Sequence, residues 1–324
     1  MKKILILTHA DDFSANSVIE WLRYYNAPFI RWNTEDDFDF ECVLNGEQCS
    51  IIVMCNGIPY DLMNIGAVWF RRGYVNLPKA FLNLNDFESE VAYFIVRHLQ
   101  REKESIQNFI YSRLMEKPHI NCPEKYDVNK LDILIFAKEL GLIIPNTIIT
   151  RSLENILGIC EQNNFYITKS ISDNLVISRN NIERMMCLTN LADSLNDTAN
   201  CDFYYSLFQE NVNKKYELRI FFLFDEYFPA VIINDNLDGR VLNDGVDVTR
   251  ICPIFVPELV LYKLKMLMKK INLESGSIDM IVTNNDEYVF LEVNPVGQFD
   301  YINKRCNFHI DESIAQTLIK MNNE

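Results

Sequence analysis

The chain has 324 residues, 48% of them hydrophobic, with only ten glycines and ten prolines, so it is long enough for two or three packed domains. A formal net charge of -14 excludes general nucleic-acid binding, because phosphates would be repelled at long range. Nine cysteines without a CxxC pair read as reduced and mostly buried, and four scattered histidines support neither a zinc site nor a Cys–His nucleophile.

In chain order, residues 4–8 read as a strand, Ser14 as the N-cap of a helix to about residue 25, and residues 29–32 as a second strand, a βαβ opening. The start is too short and too soon acidic for a signal peptide, and no run of about 18 apolar residues follows, so a soluble, cytoplasmic protein without a membrane partner is expected. Residues 38–44 and 51–54 flank the turn pair Asn45-Gly46, a hairpin signal. Residues 67–70 form a buried strand ending in Arg71 and Arg72, and residues 86–115 carry a helical period that closes a first domain.

Pro118 and Pro123 bracket a connection, after which Asp127 can cap a helix carrying Leu131, Leu134, Ile135 and Leu140, stopped by Gly141 and Pro145. Strands at 146–150, 165–169 and 175–178, with a helix capped by Ser152, suggest a small α+β unit. Strands 216–224 and 227–233 turn at Asp225-Glu226, a helix follows Pro257, and a last helix starts at Asp311 with Ile314 and Leu318 on its inner face. The expected domains are 1–117, 118–206 and 207–324.

Between the last two helices, residues 278–283 and 287–293 read as two strands around the turn residues Asn284, Asn285 and Asp286. Asp279 and Glu292 fall at the same end of this hairpin, and Asn294 shares a face with Glu292. Two carboxylates and an amide suit Mg²⁺, which binds through one or two carboxylates plus substrate oxygens and water. On spacing alone an ordinary acidic hairpin tip fits as well.

No Walker A sequence and no GxGxxG occurs, so another phosphate cradle is needed. Asn129-Lys130, FYITK at 165–169, FQENV at 208–212, KKYELR at 214–219, Asp279 and FLEVNPVGQ at 290–298 together resemble the ATP-grasp superfamily over residues 123–324. The likeness is to the microviridin or graspetide type of peptide ligase, including the grasp-with-spasm maturases.

That resemblance implies an N-terminal α/β pre-ATP-grasp domain followed by two α+β subdomains that sandwich ATP. It implies that Lys130 and Lys169 hold the α- and β-phosphates, a task for a point cation on a flexible stem. Residues Gln209, Glu210, Asn211 and Val212 become the hinge whose backbone reads adenine. Arg219 meets the transferred phosphate, with Glu217 orienting it or Lys214, and Asp279, Glu292 and Asn294 hold Mg²⁺. The WxRR element at 69–72 suggests Arg71 and Arg72 as receivers of a substrate carboxylate, with Arg250 of the 247–250 segment as a further candidate.

The implied reaction is activation of an Asp or Glu side chain of a ribosomal precursor peptide as an acyl phosphate, then attack by a hydroxyl or amine to close an ester or amide ring. Similar ligases are often homodimers. An ATP-grasp ligase that adds an amino acid to a protein tail or joins small metabolites would use the same ATP site, and a non-catalytic ATP-binding scaffold could keep the fold. The loop after Lys169 has no glycine, unlike a usual phosphate-covering loop.

Overall fold

The computed structural model describes residues 2–46, 48–78, 89–126, 128–152, 156, 166–172, 175–179, 182–186, 190–191, 204–233 and 250–324. The chain folds into two units, Met1–Tyr126 with Pro295–Glu324, and Asp127–Asn294.

The first unit is built on a parallel sheet of order β2-β1-β6-β7, with β1 at Lys3–Thr8, β2 at Phe29–Asn33, β6 at Ile65–Phe70 and β7 at His119–Ile120. Its central strands read as continuous apolar runs because both faces are covered, and every residue of β6 is buried. Helix α1, Phe13–Tyr24, crosses between β1 and β2; its N-cap is Asp12, whose carboxylate accepts from the Ala15 amide, and not Ser14. Both residues are good caps, and the chain resolves the choice by giving Ser14 another partner, Asp300.

An antiparallel meander follows: β3 at Phe38–Asn45, β4 at Gln48–Cys55 and β5 at Ile58–Asp61. Asn45 pairs with Gln48, so the turn starts at Gly46, φ +45°, one residue later than the Asn45-Gly46 pair expected. The long helix α2, Ser89–Met115, buries only Ile110 and Leu114 of its described residues, in a core with Trp32, Phe38 and Phe70.

In the second unit, α3 spans Lys130–Glu139, capped by Asn129, which accepts from the amides of Leu131 and Asp132. Asp127, the expected cap, lies outside the described residues. Ile133, Leu134 and Ala137 form the buried face, while Ile135 is exposed because it falls on the opposite side of the helix. Gly141, φ +74°, ends the segment.

A four-stranded sheet of order β12-β9-β13-β8 follows, with β8 at Thr147–Thr150, β9 at Tyr166–Lys169, β12 at Asn190–Leu191 and β13 at Ser206–Glu210. Strands β10, Leu175–Arg179, and β11, Ile182–Met186, make a separate hairpin. The helix expected after Ser152 falls mostly outside the described residues.

A five-stranded sheet of order β16-β15-β14-β17-β18 completes the unit: β14 at Lys214–Leu223, β15 at Glu226–Ile233, β16 at Arg250–Pro253, β17 at Ser275–Thr283 and β18 at Tyr288–Asn294. One face packs α3 and α4, Glu258–Ile271, through Leu218, Ile220, Phe222, Ile278, Met280, Phe290 and Val293. The β14–β15 turn is Phe224-Asp225, with Phe224 at φ +51°, rather than Asp225-Glu226.

The chain then returns to the first unit. Helix α5, Asp300–Cys306, was not foreseen, and α6, Ile310–Asn323, packs against α1, β1 and β6. Residues 295–324 therefore lie with the N-terminal fold, not with the strands of 207–294 that precede them. Among the described residues no helix is long and apolar enough to cross a membrane.

Candidate functional site

The face of the five-stranded sheet opposite the core gathers most of the expected charged residues, and two β-bulges put them there. Asp279 pairs with Glu292, but Met280 pairs with Phe290, leaving Leu291 as an extra residue. Were Leu291 held in regular alternation and not in this bulge, Glu292 would share a face with Phe290, which is fully buried in the core. With it, Val293 takes the core position and Glu292 and Asn294 turn to the side of Asp279. A second bulge lies in β14, where Lys214 pairs with Thr283 and Tyr216 with Val282. Lys215 is the extra residue, so Lys214 joins Glu217 and Arg219 on the polar face while Tyr216 packs on the core.

On that face the charges are paired. Arg219 and Asp279 are direct cross-strand neighbours, and Arg219 Nη1 donates to Asp279 Oδ1 and Oδ2 at 2.7 and 2.6 Å. Lys214 Nζ donates to Glu217 Oε1 at 2.5 Å. Burial pushes the Asp279 carboxyl above its ordinary value, and the charges of Glu292 and Glu217 push the same way against Arg219. The side chains of Arg219 and Asp279 are 14% and 27% exposed, so the pair is partly sheltered yet reachable.

Lys130 is the first residue of α3, a position where a cation opposes the helix dipole and an anion is favoured. Its Nζ donates to the Ser172 carbonyl at 3.1 Å and stands 3.9 Å from Glu292 Oε2. Lys169 ends β9, half-buried, with Leu207 as its cross-strand partner. The loop after Lys169 is described only through Ser172, and its remainder lies outside the described residues.

Residues Asn211 and Val212 belong to the three-residue link between the four- and five-stranded sheets, where a hinge was expected. Gln209 and Glu210 are more committed. The Gln209 side chain is buried, and its Nε2 donates to Thr147 Oγ1 at 3.0 Å. The Glu210 carboxylate accepts from Asn146 N and Nδ2, and its own amide donates to the Asn146 carbonyl at 2.8 Å. Sequence reasoning missed Asn146 and Ser172, since a partner through the backbone or a short amide leaves no pattern.

Arg71 and Arg72 sit in the first unit, at the C-terminal end of β6. Both donate to the Val296 carbonyl, at 2.6 and 2.7 Å, and both face Asp12, at 3.3 and 3.8 Å. Arg71, expected with Arg72 to receive a substrate carboxylate, is only 4% exposed and lies near Trp69 and Phe299. Burial lowers its pKa to about 10, with Asp12 resisting. Arg72 is 30% exposed. Arg250 is exposed at the start of edge strand β16, apart from the polar face described above.

The donor set discriminates among divalent cations. Among the described residues no three His, Cys, Asp or Glu side chains cluster, so any metal here rests on two carboxylates, the Asn294 amide and non-protein oxygens. That is a poor set for zinc and a suitable one for Mg²⁺ beside phosphates.

No family model matches the chain, and no curated protein matches it. Solved structures do. Macrocyclase MdnC bound with precursor peptide MdnA, from Microcystis aeruginosa MRC, aligns with a TM-score of 0.76 at 25% identity over 99% of this chain and 100% of that one. A RiPP-associated ATP-grasp ligase of Chryseobacterium gregarium, in complex with ADP and a leader and core peptide, gives 0.75 at 21% identity over 99% and 96%. ATP-grasp ligase PsnB, complexed with minimal precursor, Mg and ADP, gives 0.70 at 18% identity over 98% and 97%. The fold of this chain is the ATP-grasp ligase fold that its motifs resemble.

Proposed function

We propose that this chain is an ATP-dependent ligase that activates Asp or Glu side chains of a ribosomal precursor peptide and closes ester or amide macrocycles. The observation that carries the reading is the convergence of Arg219, Asp279, Glu292 and Lys130 on one polar region of the second unit. It is supported by the structural likeness to a macrocyclase bound with its precursor peptide.

Asp279, Glu292 and Asn294 would hold Mg²⁺, which would supply positive charge to neutralise phosphate oxygens. Lys130 and Lys169 would bind the α- and β-phosphates, and the backbone of Asn211 and Val212 would face the adenine. Arg219 already binds a planar anionic partner in Asp279. A phosphoryl group arriving beside it would compete with Asp279 for the guanidinium, so that Arg219 would stabilise developing charge and the Asp279 carboxylate would be freed to serve as a ligand. Lys214 neutralises Glu217, which keeps that carboxylate from repelling phosphate. The carboxylate of the peptide becomes an electrophile once its oxygen carries phosphate, and a Ser or Thr hydroxyl or a Lys amine displaces it.

For substrate contact the proposal rests on Arg72, with Arg250 a second candidate, because Arg71 is enclosed. A homodimer in the cytoplasm and a subdomain division at 206 belong to the same proposal, while the first division, expected at 117, lies after Tyr126. Incubation with ATP, Mg²⁺ and a candidate acidic peptide tests it: about 18 Da is lost per ring in condensation, with ADP formed. A mass gain would indicate addition of an amino acid instead, and no ADP would refute the ligase reading.

A further inference from the structure

Ser277 lies on β17 two residues before Asp279, on the same face of the strand, and directly opposite Asn294 of β18. It is fully buried, and its Oγ is enclosed without a hydrogen-bond partner among the described residues. Its other cross-strand neighbour is Phe221, 1% exposed, which offers only a ring. A buried hydroxyl without a partner destabilises a fold relative to alanine, which would fit the same space. The strand thus keeps a polar atom that none of the described residues uses.

We infer that Ser277 is a positioning residue for Asn294, a role that rests on the Mg²⁺ assignment above. An asparagine amide has one oxygen and one nitrogen end of nearly equal shape, and only the oxygen can ligate a hard cation. Directly opposed residues on antiparallel strands bring their Cβ atoms to about 4.5–5.5 Å, within reach of a side-chain hydrogen bond. Asn294 Nδ2 donates to Ser277 Oγ, and this fixes Oδ1 toward the cation side of the hairpin. The bond forms as the metal is bound, so the hydroxyl lacks it in the protein alone. Ser277 touches no reacting atom; it acts through Asn294, as a partner behind a ligand tunes that ligand.

The test is a calorimetric titration of Mg²⁺ into the full-length protein saturated with ADP, beside the thermal midpoint of the metal-free protein. Ser277→Ala should weaken Mg²⁺ by about 10- to 100-fold while leaving the metal-free midpoint unchanged or higher. In an Asn294→Ala background the same substitution should cause no further loss. Mg²⁺ affinity within twofold of wild type, or an equal loss with Asn294 already removed, would overturn the inference alone. Failure of the wild-type protein to bind Mg²⁺ with ADP would overturn the ligase reading and this role with it.

Discussion

Replacing Arg71 with alanine separates the buried-clamp role that the structure gives this residue from the substrate role that its motif suggested. Breaking a buried ion pair by removing one partner costs about 3–5 kcal/mol, because the other charge is stranded. Asp12, also 4% exposed, would be that stranded charge. It keeps the Thr8 hydroxyl at 2.9 Å, the Ala15 amide at 3.2 Å and Arg72 at 3.8 Å, which places the loss at the lower end of that range. Imperfect alignment acts the same way, since Arg71 Nε lies 3.3 Å from the carboxylate without forming a well-directed hydrogen bond. Loss of the bond to Val296 restores part of it, so we expect about 3 kcal/mol for Arg71→Ala. For Arg72→Ala, whose pair is longer and more exposed, about 1 kcal/mol is expected. Urea unfolding followed by tryptophan fluorescence reads this unit selectively, since Trp21, Trp32 and Trp69 all lie in Met1–Tyr126. The pH dependence gives an independent check. Burial alone would raise the Asp12 carboxyl, but Arg71, Thr8, Arg72 and Ala15 together hold it below its ordinary value. A depressed carboxylate contributes stability that is present above its unfolded pKa and lost as pH falls through the folded one. Without Arg71, burial prevails and the carboxyl rises, so protonation relieves the variant first. The gap between wild type and Arg71→Ala should therefore narrow as pH falls toward about 4. A loss below about 1 kcal/mol, or a larger loss from Arg72→Ala, would refute the clamp.

Glu292→Gln should abolish ADP formation while leaving the unfolding midpoint near wild type; normal turnover would refute the metal assignment. Arg219→Ala should collapse turnover yet hold or tighten Mg²⁺ binding, because Asp279 loses the cation that competes for both its oxygens, and calorimetry showing metal affinity lost would contradict that competition. Mg²⁺ binding should weaken on acidification and release protons, since the Asp279 carboxyl is raised and the metal takes only its ionised form; equal heats in buffers of different ionisation enthalpy would speak against it. Gly73→Ala should fail to accumulate as folded protein, because an added Cβ would stand 2.2 Å from Thr8 N, and a normal yield with an unchanged fluorescence spectrum would show the approach to be relaxed.

Much of this was legible in the chain because periodicity and turn residues are local. The β1–α1–β2 opening, the helices of 130–139 and 258–271 and the hairpin ending at Asn294 follow from patterns a few residues wide. Choices between equivalent local signals were not: Asp12 and Ser14 both cap well, and only the distant Asp300 decides between them. Nor were residues whose partners lie far along the chain, such as Arg71, which reads as a strand-end cation until Val296 and Phe299 close around it. Gln209, expected in the hinge through its backbone, also commits its buried side chain to Thr147, which its motif did not show. The extra residues Lys215 and Leu291 are ordinary in type, and a bulge is visible only when two strands are laid side by side.

Those two insertions mean that the polar face is encoded by parity as much as by residue identity. Removing Leu291 would place Glu292 directly after Phe290, so simple alternation would keep Glu292 and Asn294 on the polar side and Val293 in the hydrophobic layer, whereas straightening the strand with Leu291 retained would exchange them. A lineage could therefore drop the extra codon with the polar face still laid out, and lose that layout through a change that straightens the strand, with every ligand still spelled out in the gene. How the strands accommodate the extra residues of β14 and β18, and not their length alone, therefore decides whether the ligands share a face, which a tally of matching motif letters would pass over.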